Sequence, residues 1–436
     1  MKKRQVPLII ETPLIVDNFA GGGGASVGIE QAAGKPIDIA INHDVIALEM
    51  HSVNHKTTRH LCESVWDVNI KKVTKGRAVD LAWFSPDCTH FSKARGGLPV
   101  KKNIRGLANI AIRWAVQKQP RIIMLENVSE FLTWGPVNKG KAISELAGLS
   151  FEIYIKQLKA LGYRAEWNIL HAHHYGAPTI RKRLFLVARC DSKEIIWPDR
   201  THGENLLPYR TAAECIDWTI PCPSIFTRKR PLADATLNRI AKGIQKFIID
   251  TDEPFMLSDK TAAAFIIKLR NGCIGSALDS PLHTITAGAG HHALVSACLI
   301  PIDNVGGKGV PCNSIEEPLR TITKENRWAL VSTILVKYYG SSTAQSLNEP
   351  IHTITNKGRF GLVTLMIDSQ TYLIQDIGLR MVQPHELFKA QGFPDNYQIT
   401  QDTQGNKYTK KKQNALVGNS VSPPVARALV QANLFN

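Results

Sequence analysis

The stretch Leu14-Ile15-Val16-Asp17-Asn18-Phe19-Ala20 runs directly into four glycines, Gly21 to Gly24, and then into a helical pattern opening at Ala25-Ser26-Val27-Gly28-Ile29-Glu30. A short apolar run bounded by such a turn reads as a buried strand. The glycines let the backbone approach a ligand closely, and the helix that follows offers unpaired N–H groups in its first turn. Strand, glycine turn and helix make the first unit of a doubly wound α/β fold, whose ligands lie at the carboxyl ends of the strands. The spacing matches neither the dinucleotide pattern GxGxxG nor the phosphate loop GxxxxGK(S/T). An adenosyl ligand without phosphates therefore fits this turn better than NAD or ATP, and a glycine-rich turn with no ligand is the alternative.

The alternation continues to about Asp191. Ile37–Ile41 reads as a second strand ending in Asn42-His43-Asp44, where polar groups commonly meet a ribose hydroxyl. A helix is expected over Val45–Val53, and Val65-Trp66-Asp67-Val68 places another acid after a short apolar pair. Val79–Phe84 is a third buried strand, stopped by Pro86 and followed by Asp87-Cys88-Thr89-His90-Phe91-Ser92. A cysteine at a strand exit stands where α/β folds put working residues, although a lone cysteine is more often a small buried hydrophobe. Lys93, Arg95, Lys101 and Lys102 lie in a glycine-containing loop suited to closing over a polyanion. After a helix over Ile104–Gln117, strand Arg121–Leu125 delivers Glu126-Asn127-Val128, so Glu126 and Cys88 are expected at one carboxyl edge. A helix over Phe151–Leu161, a strand over Arg164–His171 and a strand over Leu184–Ala188 follow. Arg181 and Arg183 alternate on the extended segment before the last strand and share one face. His171, His173 and His174 have no Asp, Glu or Cys at ligand spacing, so no metal site is expected.

Lys and Arg number 53 against 37 Asp and Glu, a net charge of +16 that points to a polyanionic partner. Eight cysteines are scattered without a CxxC pair, which argues against a disulfide framework or a zinc site. No apolar run is long enough for a membrane span or a signal core, and a cytoplasmic protein is expected.

From about Asp191 the pattern changes to Pro, Trp and short strands. Pro281-Leu282-His283-Thr284-Ile285-Thr286 returns as Pro318-Leu319-Arg320-Thr321-Ile322-Thr323 and as Pro350-Ile351-His352-Thr353-Ile354-Thr355. Leu294-Val295, Leu330-Val331 and Leu362-Val363 follow the three copies. Alternating Thr-Ile-Thr with polar loops predicts three similar β-hairpins in an all-β insertion. Helical patterning resumes at Gln383-Pro384-His385-Glu386, and Val417-Gly418-Asn419-Ser420-Val421 leads into a final helix ending near Ala432.

One sheet edge thus collects an adenosyl turn, a cysteine, a carboxyl group and two arginines. Cysteine can attack an electron-poor ring carbon, a carboxyl group can hold ring nitrogens and supply a proton, and arginine can bind an exocyclic oxygen. The chain resembles the DNA (cytosine-5) methyltransferases. Asp17 to Gly28 looks like their cofactor motif, Ser85-Pro86-Asp87-Cys88 like their Pro-Cys motif and Glu126-Asn127-Val128 like their Glu-Asn-Val motif. Arg181-Lys182-Arg183 resembles the Arg-x-Arg motif, and Gly418-Asn419-Ser420-Val421 the C-terminal motif, all in the family's order. Asp87, Asn42 and Thr179 stand where the family usually has Pro, Glu and Gln. Asp87 beside the thiol would tend to raise its pKa.

The resemblance implies a doubly wound, Rossmann-like methyltransferase domain over 1–195, a smaller, mostly β target-recognition domain with phage-type hairpin repeats over 196–375, and a segment over 376–436 that returns to the catalytic domain. It implies transfer of a methyl group from S-adenosyl-L-methionine to carbon 5 of cytosine in a specific duplex DNA sequence, with the base swung out of the stack. Cys88, Glu126, Arg181 and Arg183 are then catalytic. Phe19, Ala20, Gly21, Gly23, Ser26, Asn42, His43, Asp67, Pro86, Asn419, Ser420 and Val421 are the cofactor set. Lys93, Arg95, Arg327 and Arg359 are expected on double-stranded DNA, with no metal, no membrane and a monomeric protein. RNA as substrate, or a catalytically silent DNA-binding protein, are the alternatives. The β insertion argues against the first and the intact Cys88, Glu126 and Arg183 against the second.

Overall fold

The computed structural model describes residues 12–87, 106–138, 141–257, 262–270, 273–287, 291–302 and 370–435, and strand segments 334–337, 345–346, 360–362 and 364–367. They form two compact units, one of Met1–Cys215, Pro281–Ala289 and Gln383–Asn436, the other of Ile216–Ser280 and Gly290–Val382.

The larger unit is built on a seven-stranded sheet. Its order is β3 (Arg59–Cys62), β2 (Ile39–Asn42), β1 (Leu14–Asn18), β4 (Val79–Phe84), β5 (Ile122–Asn127), then Lys182–Arg189 and Arg164–His171. The first five strands run parallel, and the last two are antiparallel additions. The order reverses between β1 and β4, which opens a crevice at their carboxyl ends. Side chains alternate across the sheet as the strand period requires. Leu14 and Val16 pack with Trp114, Tyr154 and Leu158 from the helices Asn109–Lys118 and Leu149–Ala160. Ile15 joins Trp83, Met124 and Val187 under α1 (Gly24–Ala33) and the Pro423–Leu434 helix. Those two helices approach so closely that a Cβ on Gly28 would stand 2.4 Å from the Pro423 carbonyl oxygen. Val79–Phe84 and Arg164–His171 are strands over the bounds their sequence predicts, and β5 runs two residues further than expected, so Glu126 and Asn127 are its last members.

The smaller unit holds a five-stranded antiparallel sheet in the order Gly275–Ala277, Ala262–Lys268, His292–Ile302, Gln370–Met381, Thr364–Ile367, and a three-stranded sheet of Gln345–Ser346, Ile334–Lys337 and Phe360–Leu362. It is not all β. A helix over Asp234–Ile244, continued by a wider turn to Ile249, buries Ile240, Ile244 and Ile248 against Phe265 and Val295. Leu237, Ile240, Ile244 and Ile248 recur at helical spacing, the signal by which this helix is legible.

The hairpin expectation fails for the first repeat. Pro281–Thr286 forms no strand; Leu282 makes one isolated bridge to Thr179, and the segment belongs to the larger unit. Leu294-Val295 does lie in a strand, His292–Ile302. The second and third copies, Pro318–Thr323 and Pro350–Thr355, lie outside the described residues, as do Arg327 and Arg359.

Candidate active site

The exits of β1, β4 and β5 meet at the crevice. After β1, Phe19 takes φ 64°, Gly21 54° and Gly23 95°, left-handed values that glycine adopts freely and phenylalanine rarely. Such a conformation in a non-glycine residue persists only where its surroundings impose it. The Ala20 amide donates to the Ile41 carbonyl at 3.1 Å, tying the turn to the end of β2. Among the described residues, a Cβ on Gly21 would meet nothing nearer than the Phe19 carbonyl at 3.8 Å, so they leave this side of the turn open to a ligand.

β4 leads into Ser85, buried Pro86 and exposed Asp87. Trp83 Nε1 donates to Ser85 Oγ at 2.7 Å. Asn127 Nδ2, from the end of β5, donates to the Pro86 carbonyl at 3.2 Å, and Asn127 Oδ1 accepts from the Val128 amide at 2.9 Å. The two strand exits are therefore bonded to each other just before Cys88. Cys88 itself, with Lys93 and Arg95, lies outside the described residues.

Glu126 is 6% exposed and faces both arginines. Its Oε1 is 3.2 Å from Arg183 Nε and 3.8 Å from Arg181 Nη2. The antiparallel pairing of β5 with Lys182–Arg189 brings them together. The two cations differ in setting. Arg181 is buried and donates through Nη1 to the carbonyls of Ile285 at 3.3 Å and Gly418 at 3.1 Å, joining the first repeat and the C-terminal motif to this edge. Arg183 stands nearer the carboxyl group and its side chain keeps 16% exposure.

The expected cofactor residues divide by setting. His43, Asp67 and Asn419 are exposed. Asn42 Oδ1 accepts from the Asp44 amide at 2.9 Å, closing the turn after β2. Asp67 lies in a turn clamped by Arg113, whose guanidinium donates to the carbonyls of Val65, Trp66 and Val68 at 3.1, 2.7 and 2.8 Å. Ser26 is buried, with its hydroxyl engaged inside the protein. Ser420 Oγ donates to the Val417 carbonyl at 2.8 Å, and Val421 is buried with Ala25 and Ile29. An open Gly21, exposed His43, Asp67 and Asn419, and a crevice at the strand reversal fit an adenosyl cofactor. Among the described residues no group of three His, Cys, Asp or Glu is placed to hold a metal ion, and no helix is long and apolar enough to cross a membrane. His173 and His174 instead pack with Tyr209, at ring distances of 4.8 and 5.9 Å.

The model of the C-5 cytosine-specific DNA methylase family matches residues 14–434. The chain belongs to that family. Type II methyltransferase M.SacI of Streptomyces achromogenes is 27% identical over 212 residues, 44% of this chain and 52% of its own length. Type II methyltransferase M.NaeI of Lentzea aerocolonigenes is 30% identical over 189 residues, 43% of each chain. The match thus spans about half the length of these curated relatives. Among solved structures, the Entamoeba histolytica methyltransferase EhMeth aligns over 98% of both chains with 17% identity and a TM-score of 0.51. The S. pombe Dnmt2 methyltransferase covers 96% of this chain and 97% of its own, with 15% identity and a TM-score of 0.52. At these identities the likeness is one of fold.

This member of the DNA methylase family carries a buried polar chain under its glycine turn that sequence patterning does not single out. Asp17, fully buried, accepts from Ser26 Oγ at 2.6 Å; Ser26 Oγ is 2.8 Å from His51 Nε2, and His51 Nδ1 is 2.8 Å from His60 Nε2. Burial pushes the Asp17 carboxyl up to about 7, with the Ser26 hydrogen bond opposing the rise and Glu30 adding to it. Burial, with His55 and His60 nearby, holds His51 well below the ordinary imidazole range. A carboxyl raised in the folded state contributes stability that is fully present below its ordinary pKa and lost as pH rises through about 7. Asp17→Asn should therefore flatten the decline of the urea midpoint between about pH 4 and pH 7, the difference in unfolding free energy reaching on the order of a few kcal/mol by about pH 7. His51, held neutral, contributes in the opposite direction, so the difference between the two proteins is the readout, and parallel pH profiles for wild type and Asp17→Asn would contradict it.

Proposed function

We propose that this chain methylates carbon 5 of cytosine within a specific sequence of duplex DNA, using S-adenosyl-L-methionine. The observation that carries the proposal is Glu126 held between Arg181 and Arg183 at the exit of β5, bonded through Asn127 to the exit of β4 that delivers Cys88. Bound in the crevice, S-adenosyl-L-methionine would supply an electrophilic methyl group. Gly21 and Phe19 would line it, with Asn42 or His43 toward the ribose, Asp67 toward the adenine, and Pro86 and Asn419 at its rim.

In this proposal the Cys88 thiolate bonds to cytosine carbon 6, and the electrons of the 5,6 double bond move toward carbon 5 and the ring nitrogen. Glu126 holds the N3 edge and passes a proton there as that charge develops. Arg183 binds the exocyclic oxygen, while Arg181 holds the carboxyl group in place from behind. After methyl transfer, loss of the carbon 5 proton and of the Cys88 sulfur restores the base. Lys93 and Arg95 would contact backbone phosphates. Arg327 and Arg359 would read base edges, a bidentate arginine–guanine contact being worth about 1–3 kcal/mol of discrimination.

Base-resolution bisulfite sequencing of DNA from cells expressing the chain tests this reading. Protected cytosines in one recurring sequence are the expected result, and their absence from cells that contain the folded protein would refute it.

A further inference from the structure

We infer that Tyr397 is a positioning residue for the cofactor turn: its hydroxyl, seated against Gly22 and His55, sets the shape of the glycine loop and through it the affinity for the cofactor. The inference rests on the reading of that loop as the S-adenosyl-L-methionine site. Tyr397 Oη donates to the Gly22 carbonyl at 2.6 Å. His55 Nε2 hydrogen bonds Tyr397 Oη at 3.2 Å, and His55 Nδ1 lies 2.9 Å from Glu30 Oε2. Glu30 belongs to α1, the helix the loop opens, and His55 closes α2 (Val45–Asn54). The loop, the helix after it and the helix after β2 are thus joined at one phenol.

Tyr397 is itself held firmly. Asn54 Nδ2 donates to the Gln398 carbonyl at 2.9 Å, and Asn54 Oδ1 accepts from the Gln398 amide at 2.8 Å, as a backbone neighbour would. On its other side the ring packs against Phe393 and Phe388, with centroids 4.8 and 6.5 Å away. Burial drives the phenol well above its ordinary pKa, so it remains a hydrogen donor across the working range of pH.

The glycines record the same contact. A Cβ on Gly23 would stand 2.0 Å from Tyr397 Oη and 2.8 Å from His55 Nε2. Gly23 is therefore required by the tyrosine, at φ 95°, whereas a Cβ on Gly21 would meet, among the described residues, only the Phe19 carbonyl at 3.8 Å. The four-glycine run serves two demands: access for a ligand on one side and access for Tyr397 on the other. The hydroxyl grips the Gly22 carbonyl and so fixes the Gly22–Gly23 peptide plane, next to the peptide that Gly21 contributes.

The test is Tyr397→Phe, which keeps the ring in its aromatic cluster and removes one oxygen. Calorimetry with S-adenosyl-homocysteine should show roughly tenfold weaker binding, the size of one lost hydrogen bond to a constrained carbonyl. The KM for S-adenosyl-methionine should rise in step, and kcat at saturating cofactor should fall by less than the affinity does. Gly23→Ala supplies the second readout. Its loss of affinity should be larger in the wild-type background than in the Tyr397→Phe background, where the nearest clashing atom is gone. Wild-type affinity in Tyr397→Phe, or equal losses for Gly23→Ala in both backgrounds, would overturn the inference. Failure of the wild type to bind S-adenosyl-homocysteine would instead overturn the cofactor reading on which it rests.

Discussion

Exchanging Glu126 for glutamine is expected to lower methyl transfer by on the order of 10³-fold while changing S-adenosyl-homocysteine affinity by less than about twofold. The carboxyl group lies within 3.2 Å of Arg183 and 3.8 Å of Arg181, and almost none of it reaches solvent. Glutamine keeps the shape and one acceptor. It removes the ionisable carboxyl group beside two guanidinium groups, and with it the proton relay to the ring that the proposed mechanism assigns to Glu126. Removing one partner of a buried pair usually costs about 3–5 kcal/mol. The loss in stability should be smaller here, because Arg181 retains the Ile285 and Gly418 carbonyls and Arg183 keeps partial exposure. Single-turnover assays with saturating DNA and cofactor, set beside calorimetry, separate the two effects. Equal losses of turnover and of cofactor affinity would mean that Glu126 serves the architecture of the edge and not the reaction.

Cys88→Ala is expected to abolish turnover, a loss of at least on the order of 10⁴-fold, because the proposed mechanism makes this thiol the group that bonds ring carbon 6. DNA carrying 5-fluorocytosine at the target has no carbon 5 proton to lose, so the wild-type adduct should persist through denaturing electrophoresis. The alanine variant should leave that DNA free. An adduct formed by Cys88→Ala would assign the nucleophile elsewhere. Asn127 supplies the structural reason for expecting the thiol at this place: its amide holds the Pro86 carbonyl two residues before Cys88, and β5 holds Asn127.

What the sequence makes legible follows from how local its signals are. Val79–Phe84 is an apolar run interrupted only by Asp80 and stopped by Pro86, and Arg164–His171 is bounded by Gly162, so both strands are readable from neighbours alone. Glu126, Arg181 and Arg183 can be placed together once strand exits are recognised, since a doubly wound sheet brings its carboxyl ends to one edge. Tyr397 cannot be found this way. Its partner Gly22 lies 375 positions away, and no periodicity links a turn residue near one end of the chain to a glycine near the other. Arg113 is hidden for a similar reason: its helix shows amphipathic patterning, but its clamp on Val65–Val68 is a tertiary contact. The repeat Pro281–Thr286 misleads because alternation is only half of a strand signal. A partner strand is the other half, and this copy lies against Arg181 and Gly418 instead.

The packing of α1 on the Pro423–Leu434 helix bears on the order in which the protein becomes itself on the ribosome. The carbonyl that sits against Gly28 is synthesised about 395 residues after it. At elongation rates of about 5–20 residues per second, the first helix waits tens of seconds for the surface that covers it. Through that interval Ile29 and the underside of β1 have no lid, although the strands to either side already exist. Until the Pro423–Leu434 helix is made, Ile15 and Ile29 lack the apolar surface that buries them in the finished fold, an exposed face of the kind that invites aggregation.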